Sequence, residues 1–248
     1  MAKKIIVIAL ALLVISNYSY AQDVPKKENH GKFIFGLKSN ANFSWFKPDS
    51  RNLKKGGFKT GFSYGIMGDY MFLPNYSFNV EILVSSLNGK LTYKEDYPTF
   101  KIKDSVFSYK DVSYEYTNKY IQVPLCVKFR TKEIGKMKYF AQFGFAPAFL
   151  VSAKAKIKGS NLPWEEDEIK KVKTNEESED IYQFSNFDDD VSFIVLPLVI
   201  GGGTEMKLSG STSLMLGLRF ENGFNDILKS NGTTIFSKNI SLSAGIFF

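Results

Sequence analysis

The sequence predicts an all-β protein, an eight-stranded antiparallel transmembrane up-and-down β-barrel. Three observations lead to this prediction: an N-terminal export segment, eight segments in which apolar residues alternate, and connections that alternate between short and long. A closed barrel pairs every backbone N–H and C=O group of its strands, as the interior of a bilayer demands. We therefore expect the chain to lie in the outer membrane of a cell.

The first 21 residues have the features of a secretory signal peptide. Lys3 and Lys4 precede an unbroken apolar run over residues 5–15, and Ser19 and Ala21 are small residues at the positions that signal peptidase reads. The run is too short to span a bilayer as a helix. The sequence thus predicts a signal peptide over residues 1–21, a linker over residues 22–31 and a barrel over residues 32–248.

Period-two alternation defines the predicted strands. In residues 120–130, for example, Ile121, Val123 and Leu125 alternate with polar or small residues. A helical period would mix the two sets, whereas a strand keeps them on opposite faces. The clearest strands are predicted over residues 58–72, 78–85, 120–130, 213–221 and 240–248, and the less regular ones over residues 32–46, 138–154 and 191–206.

The polar faces of these strands are expected to line the lumen. An eight-stranded barrel has an interior that is just wide enough for its own side chains, so small residues and balanced charges can fill it. The apolar faces then meet lipid, because stripes of Phe, Ile and Leu in water would favour aggregation. Six residues are predicted to form an ion-paired network in the lumen: Lys38, Asp69, Glu81, Lys128, Glu205 and Arg219.

The connections are sorted by length. Short turns are predicted near residues 73–76, 131–137 and 207–210, and longer loops over residues 47–57, 94–112, 157–190 and 222–238. Short turns on one rim and long loops on the other are typical of outer-membrane barrels. Pro124, Pro147 and Pro197 fall inside predicted strands, where they remove ladder donors and indicate bulges or strand ends.

The C-terminal strand ends on Phe247 and Phe248. A terminal aromatic residue is similar to the signal that barrel-assembly machinery recognises, so we expect Phe248 to serve as an assembly signal. The motifs Gly36-Leu37-Lys38, Phe78-Asn79-Val80-Glu81-Ile82-Leu83, Tyr120-Ile121-Gln122-Val123-Pro124-Leu125 and Gly217-Leu218-Arg219-Phe220 resemble those of the PorT-like outer-membrane β-barrel family. This resemblance covers residues 32–248 and implies an outer-membrane fold. It implies no single activity, although a few members assist protein secretion.

The residues with catalytic potential favour a non-enzymatic protein. His30 is the single histidine and precedes the first strand, which is a poor place for a catalytic base. Cys126 points inward by parity, and Gly201-Gly202-Gly203 lacks the Lys-Ser/Thr and the helix of a phosphate loop. We expect no metal site, because no Cys/His cluster has ligand spacing, and no cofactor. The alternatives are a small lipid-modifying barrel enzyme and an exported soluble lipid-binding barrel.

The segment over residues 157–190 is the candidate binding loop. It contains eleven acidic residues against four lysines, whereas the whole chain carries a net charge of +7. It is interpreted either as a solvated loop or as a site for a basic partner or Ca²⁺. The residues singled out in it are Trp164, Glu165, Glu166, Asp167, Asp188, Asp189 and Asp190.

The chain has more basic than acidic residues and a pI near 9.2, which indicates partners in the membrane. An exported chain with lipid-facing stripes does not meet nucleic acid, so its excess lysines are expected to contact anionic lipid head groups. The expected partners are outer-membrane lipid, the barrel-assembly machinery and a secretion complex or an extracellular ligand. The predicted function is a barrel with a filled lumen that presents extracellular loops for binding or assists a secretion or envelope complex.

Overall fold

The computed structural model describes residues 32–49, 53–93, 99–102, 105–108, 113–159, 170–172, 180–184, 188–229 and 234–248. The predicted signal peptide and linker lie outside the described residues. The β-strands are β1 (Lys32–Pro48), β2 (Leu53–Lys55), β3 (Lys59–Leu73), β4 (Tyr76–Ser86), β5 (Gly89–Tyr93), β6 (Thr99–Ile102), β7 (Ser105–Ser108), β8 (Ser113–Gln122), β9 (Leu125–Arg130), β10 (Met137–Phe145), β11 (Ala148–Gly159), β12 (Lys170–Val172), β13 (Asp180–Phe184), β14 (Ile194–Val195), β15 (Pro197–Ser209), β16 (Thr212–Asp226) and β17 (Ile235–Phe247). A short 3₁₀-helix covers Asp188–Asp190.

Eight antiparallel barrel strands close into a ring. In chain order they are β1, β3, β4 with β5, β8 with β9, β10 with β11, β14 with β15, β16 and β17. Each pairs with the next along the chain, and β17 pairs with β1, where Ala244 lies opposite Ser39. The closed ring confirms the predicted fold class and leaves no unpaired edge among the barrel strands themselves.

The three prolines lie where barrel strands are interrupted. Pro124 separates β8 from β9, Pro147 separates β10 from β11, and Pro197 begins β15 just after the break from β14. At each break the proline carbonyl still accepts a hydrogen bond from the neighbouring strand: Glu81 N to Pro124 O at 3.0 Å, Val123 N to Pro147 O at 2.8 Å, and Ala146 N to Pro197 O at 2.9 Å. The breaks therefore line up across adjacent strands and do not open the barrel.

The two faces of the barrel wall differ in polarity. The outward face is apolar and exposed, as at Phe35 (65% exposed), Ile82 and Leu218 (56%). The inward face holds buried polar and charged side chains, including Lys38, which is only 4% exposed. This arrangement is that of a barrel whose wall meets lipid, and it is the inverse of a soluble lipid-binding barrel.

The two rims differ as predicted, although the strands run further than the sequence pattern indicated. The three connections on one rim are short, for example the turn at residues 74–75 between β3 and β4. On the other rim β16 continues to Asp226 and β17 begins at Ile235, so that loop is shorter than residues 222–238. Pairing with the neighbouring strand extends these ends, because backbone hydrogen bonds continue after the alternation weakens.

The long connections contain additional strands. β12 and β13 form a hairpin whose second strand pairs with β11, and β6 pairs with β7. The segment over residues 157–190, which the sequence predicted as a long loop, therefore includes the end of β11 and the strands β12 and β13. A surface segment with backbone groups near a barrel strand gains ladder hydrogen bonds by continuing the sheet. Within the described residues, no helix has the length and apolarity to cross a membrane.

Candidate functional site: the lumen and the extracellular rim

An inner charge cluster lies in the half of the lumen that is closer to the short turns. It consists of Asp69, Lys128, Arg130 and Glu205, and all four side chains are buried. Lys128 Nζ lies 3.2 Å from Asp69 and 2.5 Å from Glu205. Arg130 Nε donates to Glu205 at 2.8 Å, and Arg130 also pairs with Asp69. Two cations and two carboxylates thus neutralise each other, as buried charges require.

Neutral groups complete the inner charge cluster. Asn79 donates to Asp69 Oδ1 at 2.7 Å, and Arg130 Nη1 donates to Ser77 Oγ at 2.6 Å. The ammonium group of Lys128 also lies over two aromatic rings, 4.4 Å from the centroid of Phe140 and 4.9 Å from that of Phe247. Cation–π contacts of this kind are strongest when the cation is desolvated.

A middle charge cluster is centred on Glu81. Lys38 Nζ donates to both of its carboxylate oxygens at 2.9 and 3.0 Å, and Arg219 forms a two-pronged pair with them at 2.6 and 3.0 Å. Gln142, with its amide oxygen turned towards Arg219, accepts from Nη2 at 2.8 Å and from Nε at 2.9 Å. Glu221 lies 3.8 Å from Arg219 and supplies the second negative charge. The space between Lys38, Gln142 and Arg219 has no room for a water-sized sphere.

The half of the lumen on the side of the long loops is filled differently. Here an apolar plug of buried side chains occupies the barrel, with Phe46 and Tyr116 packed at 5.7 Å between ring centroids. Val191 and Ile227 come from the connections, so the loops themselves close the plug. The plug comprises Phe46, Leu87, Leu91, Tyr114, Tyr116, Tyr120, Ala148, Ala153, Ala155, Val191, Val195, Ile227, Leu228 and Ile235.

The alternation of the strands explains most of these positions. All six residues predicted for the lumen network point inward, and the structure brings them into the two charge clusters. The predicted network of six residues omitted Arg130 and Glu221, although both lie on the polar faces that were expected to line the lumen. Parity contained the signal for both, because each lies two residues after a chosen residue on the same face of its strand, Arg130 after Lys128 and Glu221 after Arg219.

A concave mouth opens at the rim of the short turns. Its cavity measures about 210 Å³ and reaches down to Arg130 and Glu205. Lys32, Lys136 and Lys207 stand around it, and the backbone N–H of Lys207 donates to Lys136 O at 2.9 Å. The inner charge cluster forms the floor of this mouth.

The residues of the candidate binding loop are placed only in part. Trp164, Glu165, Glu166 and Asp167 lie outside the described residues. The three aspartates form the 3₁₀-helix Asp188–Asp190, and Asp188 Oδ1 accepts a hydrogen bond from Ala153 N at 2.6 Å. The backbone carbonyl of Asp190 accepts from Lys229 N at 2.8 Å. This end of the loop is therefore attached to the barrel wall and to the next extracellular connection.

Phe248, Cys126 and His30 are the other residues that the sequence analysis discussed. Phe248 is exposed, and its backbone N–H donates to Phe35 O at 2.8 Å, whereas the Phe247 ring is buried in the lumen. Cys126 is a buried free thiol. His30 lies outside the described residues. Among the residues that the structure does describe, no three His, Cys, Asp or Glu side chains are grouped as a metal site.

Solved outer-membrane proteins resemble this chain at low identity. Neisserial surface protein A matches with 11% identity and a TM-score of 0.41, over 86% of this chain and 95% of its own. OprG from Pseudomonas aeruginosa matches with 11% identity and a TM-score of 0.41, over 88% and 96%. Ail of Yersinia pestis matches with 12% identity and a TM-score of 0.35, over 88% and 99%. Likenesses this low carry no inference about function.

A family model gives the assignment. No curated protein matches the chain. The model described as outer membrane protein beta-barrel domain matches residues 20–229, which is most of the sequence. With the closed ring of eight strands and the apolar outer wall, this match shows that the chain belongs to the outer membrane protein beta-barrel domain family and lies in the cell outer membrane.

Proposed function

We propose that this protein is a non-enzymatic outer-membrane barrel, related to the PorT-like family, whose extracellular loops bind a partner or assist a secretion or envelope complex. The single observation that carries the proposal is the filling of the lumen. Two ion-paired charge clusters and the apolar plug follow one another along the interior. A diffusion pore needs a water-filled lumen, which barrels of 16 to 18 strands have.

The attachment of the loops supports a binding role. Ala153 N donates to Asp188, Ser192 N donates to Ile227 O at 2.9 Å, and Leu150 N donates to Phe193 O at 2.8 Å. These bonds join the ends of the connections to the barrel wall and to each other. Loops held on a rigid scaffold are frequent sites of recognition, because less conformational entropy is lost on binding.

A loop variant tests the binding role. In cells that carry the protein, surface cross-linking of the full chain is compared with that of a variant lacking residues 161–169, which removes Trp164 and four acidic residues but none of the described strands. We expect the variant to assemble with the same heat-dependent band shift and to lose a cross-linked partner. As a matched control, the same number of residues is removed from the 94–112 connection.

The competing function is that of a lipid-modifying enzyme, and a second measurement separates it. Deletion of the whole protein is followed by analysis of lipid A and phospholipid composition. Unchanged lipids together with a lost partner agree with the proposal. A changed acylation or head-group pattern, restored by the loop variant, would establish the enzyme instead.

A further inference from the structure

A lysine patch lies on the outer wall of the barrel at the ends of β5, β8 and β11 that lead into the long loops. We use this name for Lys90, Lys119, Lys154 and Lys156, which lie around Glu115. Their inward neighbours Asn118, Ala153 and Ala155 are buried in the lumen. Since side chains of a strand alternate between faces, the lysines point away from the barrel.

The strand register places these lysines next to one another. Glu115 lies opposite Lys156 on one side and opposite Lys90 on the other, while Thr117 lies opposite Lys154. Residues directly opposite have Cβ atoms about 5 Å apart, and diagonal neighbours such as Lys119 and Lys154 are about 7–8 Å apart. The ammonium groups can therefore converge on one multivalent anion.

The patch has more positive than negative charge. Glu115 is shared by Lys59 at 3.4 Å and Lys90 at 3.5 Å. Among the described residues, no carboxylate lies within 4 Å of Lys119, Lys154 or Lys156, and all three side chains are exposed. Several like charges held this close repel one another, and a bound anion would relieve that repulsion.

The apolar belt begins directly below the patch. On the fourth barrel strand Ile121 follows Lys119 on the outward face, and on the fifth Val151 is 54% exposed just before Lys154. From Tyr139 to Val151 the fifth strand rises by roughly 30 Å, at about 3.3 Å per residue and a tilt of about 40°. That height is enough to cover the apolar band of an outer-membrane barrel, which is about 25 Å tall, so Lys119 and Lys154 stand at the level of the head groups of the outer leaflet.

The patch is confined to one side of the barrel. The strands diametrically opposite are β17 and β1, where Lys238 and Lys47 lie beside aromatic residues, with Trp45 opposite Lys238 and Phe236 opposite Lys47. In that register Lys47 and Lys238 are themselves diagonal neighbours, so among the described residues the two sides differ in number, with four lysines in the patch against two here. The larger group of lysines suits a lipid molecule that carries more than one phosphate.

We propose that the lysine patch is a binding site for a phosphorylated glycolipid of the outer leaflet, with the lysines contacting its phosphate groups and the belt below contacting its acyl chains. A ligand that carries phosphates and acyl chains in one molecule fits both parts of the surface. A soluble anion would use the lysines alone. This site is independent of the loop function proposed above, since its residues lie on the barrel wall.

Lipid binding by the full-length protein in phosphatidylcholine nanodiscs tests the proposal, with bisphosphorylated lipid A as the probe. The variant Lys119→Gln, Lys154→Gln, Lys156→Gln is compared with the matched control Lys47→Gln, Lys238→Gln, and native mass spectrometry measures bound lipid A. Each lysine near a charged surface contributes attraction, so we expect at least tenfold weaker binding in the triple variant and less than a twofold change in the control. The heat-dependent band shift verifies that both variants are folded.

Two further binding measurements identify the chemistry of the ligand. Dephosphorylated lipid A should bind the wild-type protein at least tenfold more weakly, and millimolar inorganic phosphate should leave lipid A bound. The proposal is overturned if the folded triple variant binds lipid A like the wild type, or if removal of the phosphates has no effect. Displacement of lipid A by inorganic phosphate would assign the patch to a free anion and overturn it as well.

Discussion

Glu81 is the residue on which the middle of the lumen depends. It is the acceptor for both Lys38 and Arg219, and all three side chains are almost fully buried. Removal of one partner from a buried ion pair leaves a desolvated charge without compensation, and this costs more than the pair contributes. Arg219 also has Gln142 and Glu221 nearby, whereas Glu81 is the only carboxylate that pairs with Lys38 among the described residues.

The substitution Glu81→Gln is expected to lower the free energy of unfolding by about 3–5 kcal/mol. The amide keeps the size of the side chain but leaves two buried cations with too little negative charge. Urea unfolding in lipid vesicles, followed by tryptophan fluorescence, measures the change. Glu133→Gln is the control, because Glu133 is exposed on the rim and lies 3.8 Å from Lys138, and its removal should have little effect. Equal stabilities of the two variants would contradict the role of Glu81.

Gly89 makes room for Phe46, one of the large side chains of the apolar plug. A Cβ atom at this position would lie 2.3–2.4 Å from three ring carbons of Phe46. The ring cannot withdraw, because it packs against Tyr116 within the plug. The absence of a side chain at Gly89 is thus a packing requirement.

We expect Gly89→Ala to destabilise the barrel by about 1–3 kcal/mol through overpacking. Gly68→Ala is the matched control, since a Cβ there meets Phe35 at an ordinary 3.6 Å. The midpoint of the heat-dependent band shift in detergent compares both variants with the wild type. A midpoint for Gly89→Ala that equals that of Gly68→Ala would show that Phe46 moves freely.

At the level of the strands, the aligned breaks at the three prolines constrain the register of the barrel. They separate β8 from β9 and β10 from β11, while the carbonyl bonds to the neighbouring strands persist. On both sides of each break the inward residues remain inward, as Gln122 and Cys126 do around Pro124. The number of residues in each break is therefore part of the register.

Deletion of Val123 is expected to abolish assembly of the barrel. A shift by one residue reverses the faces of a strand, so either Lys128 and Arg130 or the residues of β8 that line the plug would face lipid. Resistance to protease and the heat-dependent band shift report assembly. Deletion of Lys132, an exposed residue in the short connection after β9, is the control and should be tolerated. Assembly of the Val123 deletion with normal protease resistance would show that the break adapts.

The whole molecule is a barrel closed at several levels. The inner and middle charge clusters and the apolar plug follow one another along the axis, and Val191 and Ile227 of the connections belong to the plug. The mouth at the rim of the short turns reaches Arg130 and Glu205 of the inner charge cluster, and the gap between Lys38, Gln142 and Arg219 in the middle charge cluster has no room for a water-sized sphere.

We expect no steady ion conductance when the purified protein is inserted into planar bilayers. The filled lumen offers no continuous water path, and the charges within it are paired. An open porin of 16–18 strands in the same bilayers serves as the positive control. Stepwise conductance increments of the size seen with diffusion pores would contradict this prediction and the proposed function together.

The sequence by itself determined the number of strands, their faces and the sorting of the connections. Each of these follows from local alternation, because a strand with one apolar face and one polar face shows its period within a few residues. Alternation predicts Lys38 on the lumen face and the apolar residues on the outward face, and the structure has Lys38 buried and Phe35 and Ile82 exposed.

Only the tertiary structure decided which residues meet. Glu81 finds Lys38 at a separation of 43 residues and Arg219 at a separation of 138, and such pairs depend on the stagger between strands, which alternation does not encode. The apolar plug was missed for a related reason. Phe46 and Tyr116 share the inward face with polar residues, and parity assigns a side to a residue but cannot show that the apolar ends of several strands will stack at one level. The lysine patch, too, exists only because the register sets β11 beside β8 and β8 beside β5.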